Sequence, residues 1–244
     1  MATEPRSRRL RAIALALATA CAACRQLPSG PARATAIISL TLVEGESTQT
    51  ATITRAAPAD AVVPIQFSAV DPSDVNLSVA DDSGTDHSLV PGDSLGRYQI
   101  AFSPRRGAQY RLHGTIDGLM VDAVTTVPTQ FLVTAPTGDT ISVRSGALNL
   151  VMLVVPYVFV STGASAYEYR VASQSGVVQY TGRLQAAQGV MTFLRTPEPQ
   201  TVQLLAYNLD AAEWLVRSTP HSNITGAFGG FGAALVLRRA LVTP

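Results

Sequence analysis

The chain has no lysine, and its two cysteines, Cys21 and Cys24, both fall in the first tenth of its 244 residues. All 18 basic residues are Arg. Charged residues make up only 14% of the chain and the formal net charge is +1, far from the strongly basic balance that nucleic-acid binding selects. Low charge beside 47% hydrophobic residues excludes an intrinsically disordered chain. No apolar run approaches the roughly 20 residues of a bilayer-spanning helix; the longest one in the body of the chain, 148–160, is broken by Pro156. Beyond residue 24 there is no cysteine. Disulfides, thiol nucleophiles and Cys-based zinc sites are thereby removed, and a folded unit there must be stable through burial alone.

What the first 24 residues hold is the layout of an export leader: Arg6, Arg8, Arg9 and Arg11, then an apolar stretch at 12–20, then small residues before a cysteine. Leu17-Ala18-Thr19-Ala20-Cys21 resembles the lipobox of bacterial lipoproteins, which places a lipid on the cysteine after cleavage. Leu17 stands four places before Cys21 rather than three, and taking Cys24 instead puts Cys21 at that key position. Ala18-Thr19-Ala20 equally satisfies the small-residue rule for ordinary secretion, and Arg8-Arg9 is a weak twin-arginine signal. The expectation is a protein exported and lipid-anchored at Cys21, or less favourably Cys24, with soluble export as the alternative. Removing the leader takes four of the 18 Arg and one of the 17 acidic residues, leaving a mature balance of −2.

Residues 25–35 are rich in Pro, Gly and Ser and read as a tether. From there, alternation of apolar and polar residues predicts strands at 37–43, 50–55, 64–69, 75–80, 97–102, 110–116 and 119–127, separated by turn residues such as Asp117-Gly118. The second half predicts strands at 131–134, 140–143, 148–155, 167–172, 177–181, 190–194 and 202–207, with Pro156 ending the third. One short helix is expected at 209–217, with Asp210 near its start and Arg217 near its end, as the helix dipole prefers. The pattern predicts an all-β protein of two consecutive sandwiches of the immunoglobulin or fibronectin kind. Its divisions are a leader at 1–20, a tether at 21–35, an N-terminal sandwich at 36–130 and a C-terminal sandwich at 131–244.

Three stretches carry a resemblance. The N-terminal half reads TLVEGESTQTATITR, VNLSVADDSG, GRYQIAF and GAQYRLHGTIDGLMVDAVTTVP; LDAAEWLVRS follows at the helix; and Ser222-Asn223-Ile224-Thr225-Gly226-Ala227-Phe228-Gly229-Gly230-Phe231-Gly232 lies near the C-terminus. Together they resemble a family of uncharacterised bacterial outer-membrane-associated lipoproteins, often encoded beside TonB-dependent receptors. The resemblance implies a pair of β-sandwiches, anchorage by the N-terminal lipid, on the periplasmic side or at the cell surface, and a TonB-dependent outer-membrane receptor as partner. It singles out Ser222, Asn223, Gly226, Gly229, Phe231 and Gly232 as family-like, and it brings no catalytic residue.

Several residues invite sharper readings. Gly226 to Gly232 suggests a phosphate loop, but no strand–loop–helix context surrounds it, so a glycine-rich terminal turn or bulge with Phe228 and Phe231 plugging the core is expected. His87, His113 and His221 lack metal-ligand spacing, and Asp81, Asp82 and Asp86 around Gly84 suit a hairpin turn better than a calcium loop. Tyr157, Phe159, Tyr167, Tyr169 and Tyr180 cluster in the second half. Tyr157, Tyr167 and Tyr169 would form a binding face if exposed, while packing in the core is the safer reading. The function expected is a non-enzymatic envelope protein without cofactor or metal, an accessory or ligand-capture partner of an outer-membrane transport system. A structural or adhesive surface protein is the alternative.

Overall fold

The computed structural model describes residues 35–56, 67–142, 152–194, 196, 198–216 and 220–242. In the N-terminal half the strands are β1 (Thr35–Val43), β2 (Thr48–Ala56), β3 (Phe67–Ala69), β4 (Val75–Ala80), β5 (Asp86–Ser88), β6 (Val90–Pro91), β7 (Arg97–Ala101), β8 (Gln109–Ile116) and β9 (Leu119–Thr126). The C-terminal half adds β10 (Gln130–Ala135), β11 (Thr140–Ser142), β12 (Met152–Thr162), β13 (Ala166–Ser173), β14 (Val178–Leu184), β15 (Gln188–Leu194), β16 (Gln200–Tyr207) and β17 (Phe228–Val242). The fold is all-β and sandwich-like, as the alternation predicts. Sheets of order β5-β4-β8-β9 and β10-β12-β15 accompany one ten-stranded sheet of order β14-β13-β16-β17-β1-β2-β7-β6, with β3 on β2 and β11 on β17.

Period-two patterning explains which residues go inside. Ile38, Leu40 and Leu42 of β1, Leu77 and Val79 of β4, Leu153, Val155, Tyr157 and Phe159 of β12, and Val202 and Leu204 of β16 all turn into one apolar core that spans both halves. Each fully buried aliphatic or aromatic side chain contributes roughly 1.5–3 kcal/mol. No disulfide is needed to hold such a core.

The division at residue 130 separates the strands in chain order, yet the last strand belongs to both halves. β17 is 15 residues long. Its beginning pairs in parallel with β1 of the N-terminal half, from Ile37↔Phe228 to Val43↔Ala234. Its remainder pairs antiparallel with β16, from Tyr207↔Ala234 to Gln200↔Leu241. A parallel neighbour of this kind leaves no hairpin signature in the sequence, because its partner lies nearly 200 residues away.

Two local expectations are corrected. Pro156 does not end a strand; it sits inside β12, opposite Val190 of β15. The Phe159 N–H donates to the Ala187 carbonyl of the connection into β15, so odd-numbered N–H groups face β15 and the missing N–H of Pro156 faces the other side. There β10 has already departed, its pairing ending at Ala135↔Val158, and no ladder bond is lost. The helix is shorter than 209–217: α1 (Leu209–Ala211) gives way to a π turn over Ala212–Val216.

Candidate functional site at the seam between the halves

Cys21 and Cys24, with the rest of residues 1–34, lie outside the described residues, and the last residue of the expected tether, Thr35, already belongs to β1. The tyrosines are placed against the binding-face reading. Tyr157 and Tyr169 are buried at 4% and 5% exposure, and Tyr167 packs against the same core. Tyr157 stacks on Phe159, which meets Tyr167 at 4.4 Å between ring centroids. Alternation on a strand puts Tyr167 and Tyr169 on one face, as expected, but that face is the inner one. They are core residues, not a capture surface.

The Ser-Asn and glycine residues, by contrast, come together at the junction of β17 with β1. β17 begins beyond the reach of β16, so one edge of residues 228–233 would be bare. Three side chains stand in for the absent strand. Ser222 Oγ accepts from the Gly229 N–H at 3.0 Å. The Asn223 amide pairs with Phe231 in both directions, accepting at 2.9 Å and donating at 2.8 Å. Asn208 Oδ1 accepts from the Ala233 N–H at 3.0 Å while the Asn208 N–H donates to the Ala233 carbonyl. The N–H of every second residue of the bare edge, Gly229, Phe231 and Ala233, is thereby given an acceptor, as buried backbone requires.

Asn208 does more than close that edge. Its side chain caps α1 by accepting from the Ala211 N–H, and its Nδ2 donates to Thr125 Oγ1 at 2.7 Å and to the Thr126 carbonyl at 2.9 Å. One buried amide thus joins β9 of the N-terminal half to α1 and β17. Thr125 in turn donates to Asp210 at 2.8 Å. The cap is visible in the sequence as an Asn before a helical stretch; its reach to β9 is not.

The glycines are required by closeness. A Cβ on Gly229 would overlap the carbonyl oxygen of Ile38, and one on Gly226 the carbonyl oxygen of Met120. Their φ values of +141° and +82° are also ones that L side chains rarely adopt. Gly230 lies directly under Trp214 and Gly232 under Ala211. The absent side chains let α1 and its π turn settle on β17, and Trp214 Nε1 reaches Ser39 Oγ on β1 at 3.1 Å. The expected terminal turn is therefore mostly strand. Phe231 is fully buried as expected, whereas Phe228 is 43% exposed and meets the Trp214 ring edge-on instead of plugging the core.

The Asp and His residues take local roles. Asp81 Oδ1 accepts from the Ser83 N–H, the Ser83 hydroxyl and the Thr85 N–H. The Ser83 hydroxyl leads in lowering this carboxyl to about 2, helped by the Thr85 N–H. Asp82 pairs with Arg105, and Asp86 with His113 at 2.8 Å. His87 stacks on Phe102 at 4.6 Å, and the exposed His221 donates its N–H to the Glu213 carbonyl. Among the described residues, no group of three or more His, Cys, Asp or Glu is arranged to hold a metal ion. An open hollow of about 300 Å³ on the outer side of β4, β8 and β9 is lined by Arg111, His113, Met120 and Asp122, with Arg111 already tied to Asp122 at 2.6 Å.

No family model and no curated protein matches the sequence. Among solved structures the chain is similar to the chicken CNTN1 FN1-FN3 domains, at 13% identity over 86% of this chain and 68% of that one, with a TM-score of 0.26. It is also similar to the central fibronectin-III array of RIM-binding protein, at 13% identity over 89% and 72% of the two chains, with a TM-score of 0.21. A DUF4785 family protein from Legionella pneumophila matches at 12% identity over 69% and 51%, with a TM-score of 0.20.

Proposed function

We propose that the protein is a non-enzymatic structural arm of the bacterial envelope, tethered by a lipid on Cys21 at the outer membrane and presenting two sandwiches fused into one stiff body. The seam carries this reading. A strand shared by both halves, closed on one edge by β1 and on the other by Ser222, Asn223 and Asn208, suppresses the hinge that two sandwiches in series would otherwise have. Stiffness serves a scaffold or an adhesive surface. Support for the address comes from the leader: its basic start, short apolar stretch and small residues before Cys21.

The capture reading has lost its proposed tyrosine face, and partnership with a TonB-dependent receptor now rests on the resemblance alone. Labelling cells with a radioactive fatty acid tests the anchor. Label on the wild type that disappears in Cys21→Ala is the expected result, whereas label that survives in Cys21→Ala and vanishes in Cys24→Ala moves the anchor to Cys24. Absence of label on the wild type overturns anchorage. Recovery of an outer-membrane receptor with the affinity-purified protein would return the accessory role to first place.

A further inference from the structure

Among the described residues, Arg239 is the one charged residue that is buried. It stands in β17 at 7% exposure, opposite Val202 of β16 and two places before Leu241, both buried as well. Its guanidinium crosses to β10, where Nη2 donates to the Val133 carbonyl at 3.2 Å, beside the irregularity between Val133 and Ala135. Nε and Nη1 are buried and have no hydrogen-bond partner. The ion pairs of the described residues hold Arg55, Arg105, Arg106, Arg111, Arg170 and Arg238, but not Arg239. Burial lowers the pKa of this guanidinium, and only the Asp139 carboxylate opposes the shift. Asp139 lies beside it where β11 joins β17, its carbonyl accepting from the Ala240 N–H at 3.1 Å, yet the residue is exposed and makes no ion pair with Arg239. Residues 143–151, which follow β11 in the chain, contain no acid.

A buried amine or imidazole escapes such a position by giving up its proton, whereas a guanidinium stays charged. The Val133 carbonyl satisfies one N–H and leaves the charge uncompensated, and an unpaired charge is among the costliest groups to bury. The Tyr98 hydroxyl also lacks a partner inside the fold, but it is neutral and makes no such demand. We propose that Arg239 is the anion-binding residue of a site between β17 and β10, and that the site takes a small monovalent anion, either chloride or the carboxylate of a small acid. Charge-assisted hydrogen bonds from a guanidinium to such groups are about twice as strong as neutral ones, and they would meet the charge and the free N–H groups together. Asp139 sets the valence. Its negative charge at the rim opposes a dianion more than a monoanion, so sulfate is the poorer ligand. The site owes nothing to the lipid anchor or to the stiffness of the seam.

The test is the melting temperature of the purified protein as sodium chloride or sodium acetate replaces sodium sulfate at constant ionic strength. Arg239→Met, which keeps an apolar side chain there and drops the charge, is the reference for general salt effects. Wild type is expected to gain about 3–5 °C over Arg239→Met once the anion reaches about ten times its dissociation constant, and the salt that gives the larger gain names the anion. Asp139→Asn, a surface change, should tighten binding by about threefold or more by removing the like charge at the rim. Bromide soaked into crystals of the wild type should give an anomalous peak within hydrogen-bond reach of Arg239. The Asp139 and bromide measurements do not need the Arg239 variant to fold. Wild type and Arg239→Met responding alike to both salts overturns the proposal, since a water on Nε and Nη1 would then suffice. So does a wild type indifferent to the anion with Asp139→Asn losing stability, which would make Asp139 the counter-charge. A bromide peak at Arg239 with no effect of chloride or acetate on melting is an adventitious ion only, and it overturns the proposal as well.

Discussion

Gly232 shows how much of this molecule is decided by a side chain that is not there. A Cβ at this position would press into the backbone of Ala211, and neither β17, held on both edges, nor α1, capped by Asn208, has room to retreat. Gly232→Val is expected to destabilise by about 2–3 kcal/mol, the cost of overpacking a site that cannot relax. Gly45 provides the contrast. It has φ +82° and open space around it, so Gly45→Ala costs only the left-handed backbone, about 1 kcal/mol. Urea midpoints of the two variants check the order, and equal losses would mean that the close approach at the seam does not matter. Asp81 makes a different residue-scale prediction. Its folded carboxyl titrates near 2 against an ordinary value of 3.8, so its contribution to stability is present above about pH 4 and is lost as pH falls toward 2. Asp81→Asn keeps the acceptor geometry and removes the charge. Its melting temperature should lie below wild type at neutral pH and converge with it below pH 3.8; a gap that stays constant down to pH 2 would refute the charge-assisted turn.

At the scale of elements, the deciding group is the amide of Asn208. Asn208→Ala leaves the N–H groups of Ala211 and Ala233 without acceptors and the Thr126 carbonyl without its side-chain donor, all at a position only 5% exposed. Orphaned buried groups cost about 1–3 kcal/mol each, so a loss of about 3 kcal/mol is expected, with hydrogen exchange accelerating at Ala233 and Phe231 before it does in β4 or β8. Uniform acceleration across all strands would mean that Asn208 is not local to the seam. This element also shows where sequence reading stops. Strands such as β1 and β8 were legible because one face of each is buried and the residues alternate. The helix start was legible because an Asn precedes it and Asp210 follows. Neither feature reveals that the same Asn reaches β9, or that Ser222 and Asn223 replace a strand edge, since both follow from the parallel return of β17 to β1 across nearly the whole chain. Pro156 misled for a related reason: a proline reads as a strand end unless one knows that β10 has already left that side. The tyrosines likewise carry no mark in the sequence of which face of β12 and β13 turns inward.

For the whole molecule, a strand that pairs with both halves is expected to make them one cooperative unit. Unfolding of the C-terminal half would strip β17 from β1, lift α1 and Trp214 from Gly230, and break the amide links from Asn208 to β9, so the N-terminal half would lose a seven-residue ladder together with the cover over it. Two independent sandwiches would give two transitions, with each denaturant slope reflecting its own surface. The chain has one tryptophan, and it sits on the seam, so its fluorescence reports the junction while far-ultraviolet circular dichroism reports all strands. In wild type the two probes are expected to trace one coincident urea transition whose slope corresponds to the whole folded chain, the accepted sign of two-state behaviour. In Gly232→Val the coupling is weakened where α1 settles on β17, and the fluorescence midpoint should move to lower urea than the dichroism midpoint. Separate transitions in the wild type would show that the halves are independent modules, and the stiff-arm function would lose the property on which it depends.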